Sequence, residues 1–290
     1  MATPHDLSTT LPTTGRVNGR IIPSTGERIG IIGCGTYRGF DVYEDSNSFA
    51  PLERVVTTLL NGGGSVMDSS PMYGRSEATT GAVLASLGRR DEAFIATKVW
   101  TRGRRTGIDQ MKRSLELLRT PFVDLMQVHN LVDVGTHLDT LAGWKQDGLT
   151  RYVGVTHYHG GAFAELETVL RRDRVDFVQF NYSLEDREAE KRLLPLARER
   201  GVAVLVNVPL GGGALLDRVS RRLLPDFAAR IGCTSWSQLL LKFVLGHEDV
   251  TCAIPGTGNP QHMADNLAAG CGDLAQARNE ILTWWNRDMR

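Results

Sequence analysis

Four residues of this chain can do chemistry together: Asp68, Tyr73, Lys98 and His129. A tyrosine hydroxyl, with a pKa of about 10, holds its proton too tightly for easy exchange at neutral pH. A nearby ammonium favours the phenolate and lowers that value. A carboxylate beside the ammonium keeps it charged and in place. A neutral histidine can hydrogen-bond a carbonyl oxygen and turn it toward the tyrosine. The set suits a general acid that protonates a carbonyl oxygen while hydride arrives at the carbon. Taken singly, each has a commoner role: a turn-capping acid, a packed phenol, a solvated charge, a structural imidazole. Their force lies in where the chain places them.

Asp68 closes the short apolar run Ser65-Val66-Met67, and Tyr73 follows in the turn Pro71-Met72-Tyr73-Gly74. Lys98 ends the run Ala93 to Thr97, and His129 ends Val123 to Val128. Each run reads as a strand, and between them Ser76 to Leu87 and the stripe Ile108, Met111, Leu115, Leu118 read as helices. The alternation extends both ways. Arg20–Ile22 and Glu27–Ile29 flank a Pro-Ser-Thr-Gly turn as a hairpin, and Ile29 to Gly33 reads as the first buried strand. Leu52, Val55, Val56, Leu59 and Leu60 mark the first helix, with Pro51 near its start and Gly62 past its end. Further strands are expected at 152–155, 177–180, 202–206 and 250–254. Helices are expected around 138–144 and 163–170, from Ser183 to Arg200 with a kink at Pro195, as a pair within 220–247, and near 261–268 and 274–287.

Eight strands, each followed by helix, predict an α/β protein: a (β/α)8 TIM barrel with an N-terminal β-hairpin and extra helices near the C-terminus. A doubly wound open sheet is the rival, weakened because no G-x-G-x-x-G opens a helix after the first strand. Residues 1–19 read as a flexible lead-in and 20–290 as a single barrel domain. In such a barrel the chemistry sits at the C-terminal strand ends.

Composition narrows the classes. The 290 residues are 41% hydrophobic with 33 basic and 33 acidic side chains, so no basic excess points to nucleic acid or an anionic membrane. No signal sequence or membrane-length apolar run is visible. The four cysteines, Cys34, Cys233, Cys252 and Cys271, form no C-x-x-C and read as reduced thiols of a cytoplasmic protein, with no metal site expected.

The strand-end residues are similar to those of the aldo-keto reductase superfamily. The resemblance is carried by Gly33-Cys34-Gly35-Thr36-Tyr37, Asp68-Ser69-Ser70-Pro71-Met72-Tyr73-Gly74, Ala96-Thr97-Lys98-Val99, Val128-His129, Gly154-Val155-Thr156-His157-Tyr158, Gln179-Phe180-Asn181-Tyr182-Ser183 and Ile254-Pro255-Gly256, in the family's order. It implies a barrel whose hairpin plugs the bottom, a nicotinamide cofactor, and reversible reduction of an aldehyde or ketone to an alcohol. It makes Tyr73 the proton donor, Lys98 and Asp68 its tuners, and His129 the residue that orients substrate.

The same resemblance assigns the cofactor to Gly35, Thr36, Tyr37, Asp68, Thr156, His157, Gln179, Asn207, Pro209, Leu210, Gly211, Gly213, Gly256, Thr257, His262 and Asn266. Several depart from the family pattern. His157 replaces an asparagine, and Asn207 stands where relatives stack a tyrosine on the nicotinamide. Pro209 to Gly213 is either a pyrophosphate-binding loop or a merely flexible one. Relatives hold the 2′-phosphate of NADP with a lysine, a serine and an arginine; here those positions are Gly256, Thr257 and His262. NADPH is the family's cofactor, and loss of both cations brings NADH within reach. Thr257, Asn259, His262 and a helix N-terminus remain to hold an anion weakly. Tyr37, Phe40, Met72, Trp100, Asn130 and His157 are placed near the mouth, of which Tyr37, Met72, Trp100 and Asn130 form the expected substrate pocket. Two other readings remain. One is a slow cofactor-binding regulatory subunit on the same fold; the other is a metal-dependent barrel hydrolase, for which only His129 and His157 fall at strand ends.

Overall fold

The computed structural model describes residues 15–289. Residues 1–14 of the expected lead-in lie outside the described residues. From Val17 onward the chain is tied down: its N–H bonds Gly62 O at 2.9 Å, and Asn18 N–H bonds Gly270 O at 2.9 Å.

A hairpin comes first, β1 (Gly19–Ile21) paired antiparallel with β2 (Arg28–Gly30). Among the described residues eight parallel strands then form one sheet in chain order: β3 (Cys34–Gly35), β4 (Val66–Asp68), β5 (Phe94–Val99), β6 (Val123–His129), β7 (Thr150–Thr156), β8 (Phe177–Asn181), β9 (Ala203–Asn207) and β10 (Cys252–Ala253). The first and last strands meet. Ile32 bridges Ala253, Gly35 bridges Gly256, and Gly33 N–H bonds Ala253 O at 2.9 Å, which closes the sheet into a barrel. Helices α1 (Phe49–Asn61), α2 (Ser76–Leu87), α3 (Arg104–Leu117), α4 (Val134–Gln146), α5 (Phe163–Arg172), α6 (Leu193–Arg200), α7 (Ala214–Val219), α8 (Trp236–Leu245), α9 (Pro260–Ala268) and α10 (Leu274–Asp288) complete it.

Strand alternation sorts the core into two layers, because successive side chains point to opposite faces of a sheet. Outward residues such as Ile95, Val99, Met126, Val128 and Val204 join the helices in the main cluster. Inward residues Val66, Phe94, Ala96, Leu125, Tyr152, Phe177, Ala203 and Leu205 form a second cluster with Ile22 and Ile29 of the hairpin. The hairpin thus seals the N-terminal end of the barrel with apolar side chains. Further along the same inward rows come Asp68, Lys98, Gln127, Thr156, Gln179 and Asn207. The interior is therefore apolar at the floor and polar at the mouth.

Three elements differ from the sequence expectation. The run from Ile29 to Gly33 is not one strand: Ile29 and Gly30 pair inside the hairpin, and the barrel strand starts beyond the bend at Ile31. No helix spans Ser183 to Arg200. Ser183 closes a turn with Asp186, a 3-10 turn follows at Glu188–Glu190, and α6 begins only at Leu193. That puts Pro195 in the first helical turn, where its missing N–H costs nothing. Within 220–247 only α8 forms, α7 having ended at Val219. Pro225 and Gly232, at φ 70°, break the segment between into turns packed by Phe227 and Ile231.

Candidate active site

The turn from Asp68 to Gly74 carries the first two groups. Ser69 N–H bonds Ala96 O at 2.8 Å and Tyr73 N–H bonds Ser70 O at 3.0 Å, which folds the tyrosine back over its own strand end. Gly74 makes the turn possible. Its φ is 61°, and a Cβ there would stand 2.5 Å from Asp41 Oδ2. Asp41 in turn accepts from Arg75 N–H at 3.0 Å, which pins the loop after β3 to the start of α2.

Lys98 is 0% exposed, yet its Nζ lies 2.7 Å from Asp68 Oδ2 and 2.6 Å from Ser69 O. The other carboxylate oxygen, Asp68 Oδ1, accepts from Gln127 Nε2 at 3.2 Å and from Gln179 Nε2 at 3.0 Å. A buried ion pair persists only when its remaining donors and acceptors are bonded, and here both oxygens are. Burial works against the Lys98 ammonium, but Asp68 and Tyr73 outweigh it and hold its pKa above the usual lysine value. The Lys98 ammonium lies 5.1 Å from the centre of the Tyr73 ring. For the tyrosine the balance goes the other way. Burial raises the Tyr73 pKa, Lys98 pulls it down, and the net shift is upward. The ammonium acts in the expected direction without prevailing, so Tyr73 keeps its proton at neutral pH.

His129 packs edge-on to Tyr73, with ring centres 6.1 Å apart, and Trp100 covers it at 6.3 Å. Burial, then Lys98, then His157 depress its pKa to about 3, so the ring is neutral. Its Nδ1 lies 3.1 Å from Ser70 Oγ. Asp68, Tyr73, Lys98 and His129 therefore stand together on three successive strand ends.

The residues expected at the cofactor fall into two groups. At the mouth, Thr156 donates to Gln179 Oε1 at 2.8 Å, joining the network on Asp68. Asn207 donates to His157 O at 3.0 Å, while its Oδ1 is buried without a partner. His157 accepts Tyr158 N–H on Nδ1 at 3.0 Å, and burial followed by His159 lowers its pKa. Gly35 lies on β3. Thr36 spends its hydroxyl on Asp68 O and Ser69 Oγ, each at 3.0 Å. Val208, next to Asn207, has φ 51°, a strained value for a β-branched residue and one found at sites under functional constraint. Pro209 and Leu210 then lead into one 3-10 turn at Gly211–Gly213.

The second group lies around α9. Gly256 bridges Gly35, Thr257 accepts Asn259 N–H at 3.0 Å, and Asn259 caps α9 by accepting Gln261 N–H at 2.9 Å. Asn266 is buried and accepts from Ser237 at 2.9 Å. His262 is the exposed imidazole of this turn, and no lysine or arginine occurs from residue 256 to 266.

Of the pocket residues, Tyr37, Met72 and Trp100 are exposed at the mouth, Tyr37 5.0 Å ring to ring from Tyr73. Asn130 has φ 51° and a buried, unpartnered Oδ1. Phe40 departs from expectation: it is 0% exposed and belongs to the core. Three contributors escaped the sequence reading. Gln127 was visible in principle, two residues before His129 on the same face. Glu77 accepts from Thr97 on the outer side of β5, and Ser70 reaches His129 across the turn; only folding reveals either contact. The buried thiol of Cys34, on β3, has its pKa raised to about 12 by burial. Among the described residues no group of three His, Cys, Asp or Glu stands close enough to hold a metal ion, and no helix is long and apolar enough to cross a membrane.

The profile of the aldo/keto reductase family matches residues 31–282. The chain belongs to the aldo/keto reductase family. It is 31% identical over 241 residues to an aldo-keto reductase of Mycolicibacterium smegmatis, a match covering 79% of each chain. It is 28% identical over 225 residues to methylglyoxal reductase DkgB of Salmonella typhimurium, covering 74% of this chain and 80% of that one. Among solved structures it is similar to an aldo/keto reductase of Klebsiella pneumoniae in complex with NADP and acetate, at TM-score 0.75 and 23% identity, covering 89% of this chain and 93% of that one. As an aldo/keto reductase the protein is an oxidoreductase with the (β/α)8 fold.

Proposed function

We propose that this aldo/keto reductase reduces a small aldehyde or ketone to the alcohol, with Tyr73 as the proton donor. The observation that carries the reading is the buried Lys98–Asp68 pair, 2.7 Å apart, set against the Tyr73 ring beside a neutral His129. Reduced nicotinamide, when bound, supplies the hydride. The residues fit such a cofactor. The orphaned Asn207 Oδ1 offers an acceptor for a carboxamide N–H, and Thr156 and Gln179 stand beside it. The turn Leu210–Gly213 and the N-terminus of α9 would take the phosphates.

His129 donates a hydrogen bond to the carbonyl oxygen and holds it toward Tyr73. As negative charge gathers on that oxygen, the Tyr73 O–H passes its proton. Lys98 stabilises the phenolate left behind, and Asp68 keeps Lys98 charged and fixed. Bulk water then restores the Tyr73 proton. The mouth residues Tyr37, Met72 and Trp100 favour substrates with an apolar or aromatic body. We infer further that the cofactor is held with little regard for its 2′-phosphate, because Gly256, Thr257 and His262 stand where relatives place a lysine, a serine and an arginine.

The test is a fluorescence titration with NADPH and NADH, followed by turnover of methylglyoxal and aromatic aldehydes. Dissociation constants within about tenfold of each other are expected for the two cofactors, the scale of one exposed charge contact. Binding of neither would sink the assignment.

A further inference from the structure

To orient a carbonyl oxygen, His129 must present an N–H, and a neutral imidazole has only one. Which ring nitrogen carries it depends on what the other nitrogen meets. The Nδ1 of His129 meets Ser70 Oγ at 3.1 Å, and Ser70 Oγ also accepts Met72 N–H at 3.4 Å. Ser70 is fully buried and has no other side-chain partner among the described residues. Two proton arrangements are open to this chain. With the proton on Nδ1, the serine oxygen accepts twice and its own hydrogen points at nothing. A buried hydroxyl left without an acceptor is disfavoured by about tenfold or more. With Nδ1 bare, every link is satisfied: Met72 N–H gives to Ser70 Oγ, and Ser70 O–H gives to Nδ1. Among the described residues the His129 ring makes no other hydrogen bond, and the Tyr73 and Trp100 rings stand 6.1 and 6.3 Å from it, centre to centre. A charged His129 is disfavoured by its burial and by Lys98.

We infer that Ser70 is a positioning residue, whose hydroxyl donates to His129 Nδ1 and so fixes the Nε2–H tautomer as the hydrogen-bond donor to substrate. The catalytic consequence rests on the carbonyl-reductase reading proposed above; the tautomer does not. The turn between Asp68 and Tyr73 then serves two groups at once. It returns the phenol over its strand, and it sets the proton on the imidazole of another strand.

The experiment uses the full chain labelled with [15N]histidine, with and without NADP+. His129 is assigned among the seven histidines by loss of its signals in His129→Gln. The expected result is an unprotonated Nδ1 and a protonated Nε2 at neutral pH. Ser70→Ala should let Nδ1–H appear and lower kcat about threefold to tenfold, the size of one hydrogen bond, with NADPH affinity unchanged. Ser70→Thr, which keeps the hydroxyl, should restore both. A protonated Nδ1 in the wild type overturns the inference, and that spectrum decides even if Ser70→Ala does not fold. Unchanged tautomer and kcat in a folded Ser70→Ala overturn it equally. Absence of all carbonyl turnover in the wild type overturns the reductase reading instead, and the two failures separate because the tautomer is read without turnover.

Discussion

The barrel interior has two ends, and each holds a tyrosine among charged side chains. At the floor, Tyr152 donates its hydroxyl to Glu27 at 2.6 Å, stacks on Phe94 at 5.8 Å, and shares Glu27 with Arg151. At the mouth, Tyr73 faces the Lys98 ammonium, which is fully buried on Asp68. Burial raises both phenols, yet their neighbours differ in kind. A carboxylate takes the hydroxyl proton into a fixed bond. An ammonium has nothing to accept it with and stabilises what remains after it leaves. On the function proposed above, the same side chain is a strut at one end and a proton source at the other, and the charge of its partner makes the difference.

Tyr73→Phe gives the largest expected effect: kcat for carbonyl reduction falls about 100-fold to 10,000-fold while NADPH binding persists, as measured by steady-state kinetics beside fluorescence titration. Unchanged turnover would mean that the mouth tyrosine is also only a strut. Lys98→Met strands the Asp68 carboxylate in the barrel and should cost about 3 to 5 kcal/mol in urea unfolding. Its floor counterpart Arg151→Met, half-exposed, should cost under about 1 kcal/mol. Equal costs would erase the contrast. His129 comes next. Its folded pKa lies near 3, below the 6.5 of a free histidine, so the unfolded chain binds the extra proton between those values. Stability therefore falls as pH drops from about 6.5 toward 3, with a slope of up to about 1.4 kcal/mol per pH unit from this group. His129→Gln should flatten that slope in a series of denaturation curves. Last is Tyr152→Phe, expected to cost about 1 kcal/mol of stability and to leave kcat unaltered. A fall in kcat there would tie floor to mouth.

Much of this was legible before folding. Apolar runs ending in Asp68, Lys98 and His129 placed the polar mouth because side-chain alternation carries straight through a strand. Helix α2 was bounded by its own pattern, while Asn207, Gly256 and His262 stood out only against the pattern of the family the sequence resembles. What escaped depends on contacts that periodicity does not encode. Phe40 reads like any loop aromatic until the loop after β3 folds inward. Ser183 reads like a helix cap until it closes on Asp186. The distance from Ser70 to His129 is 59 residues of chain and 3.1 Å of space. The net rise of the Tyr73 pKa needed the burial of the whole site, which no local spacing reports.

Gln179 reaches Asp68 from β8 to β4, strands that are not neighbours in the sheet. The bond is a tie-rod across the bore of the barrel, and it shares the carboxylate on which Lys98 depends. Chemistry and mechanical closure are thus drawn from one pool of oxygen lone pairs. On the proposed function, a substitution at Asp68 or Gln179 would therefore disturb both at once.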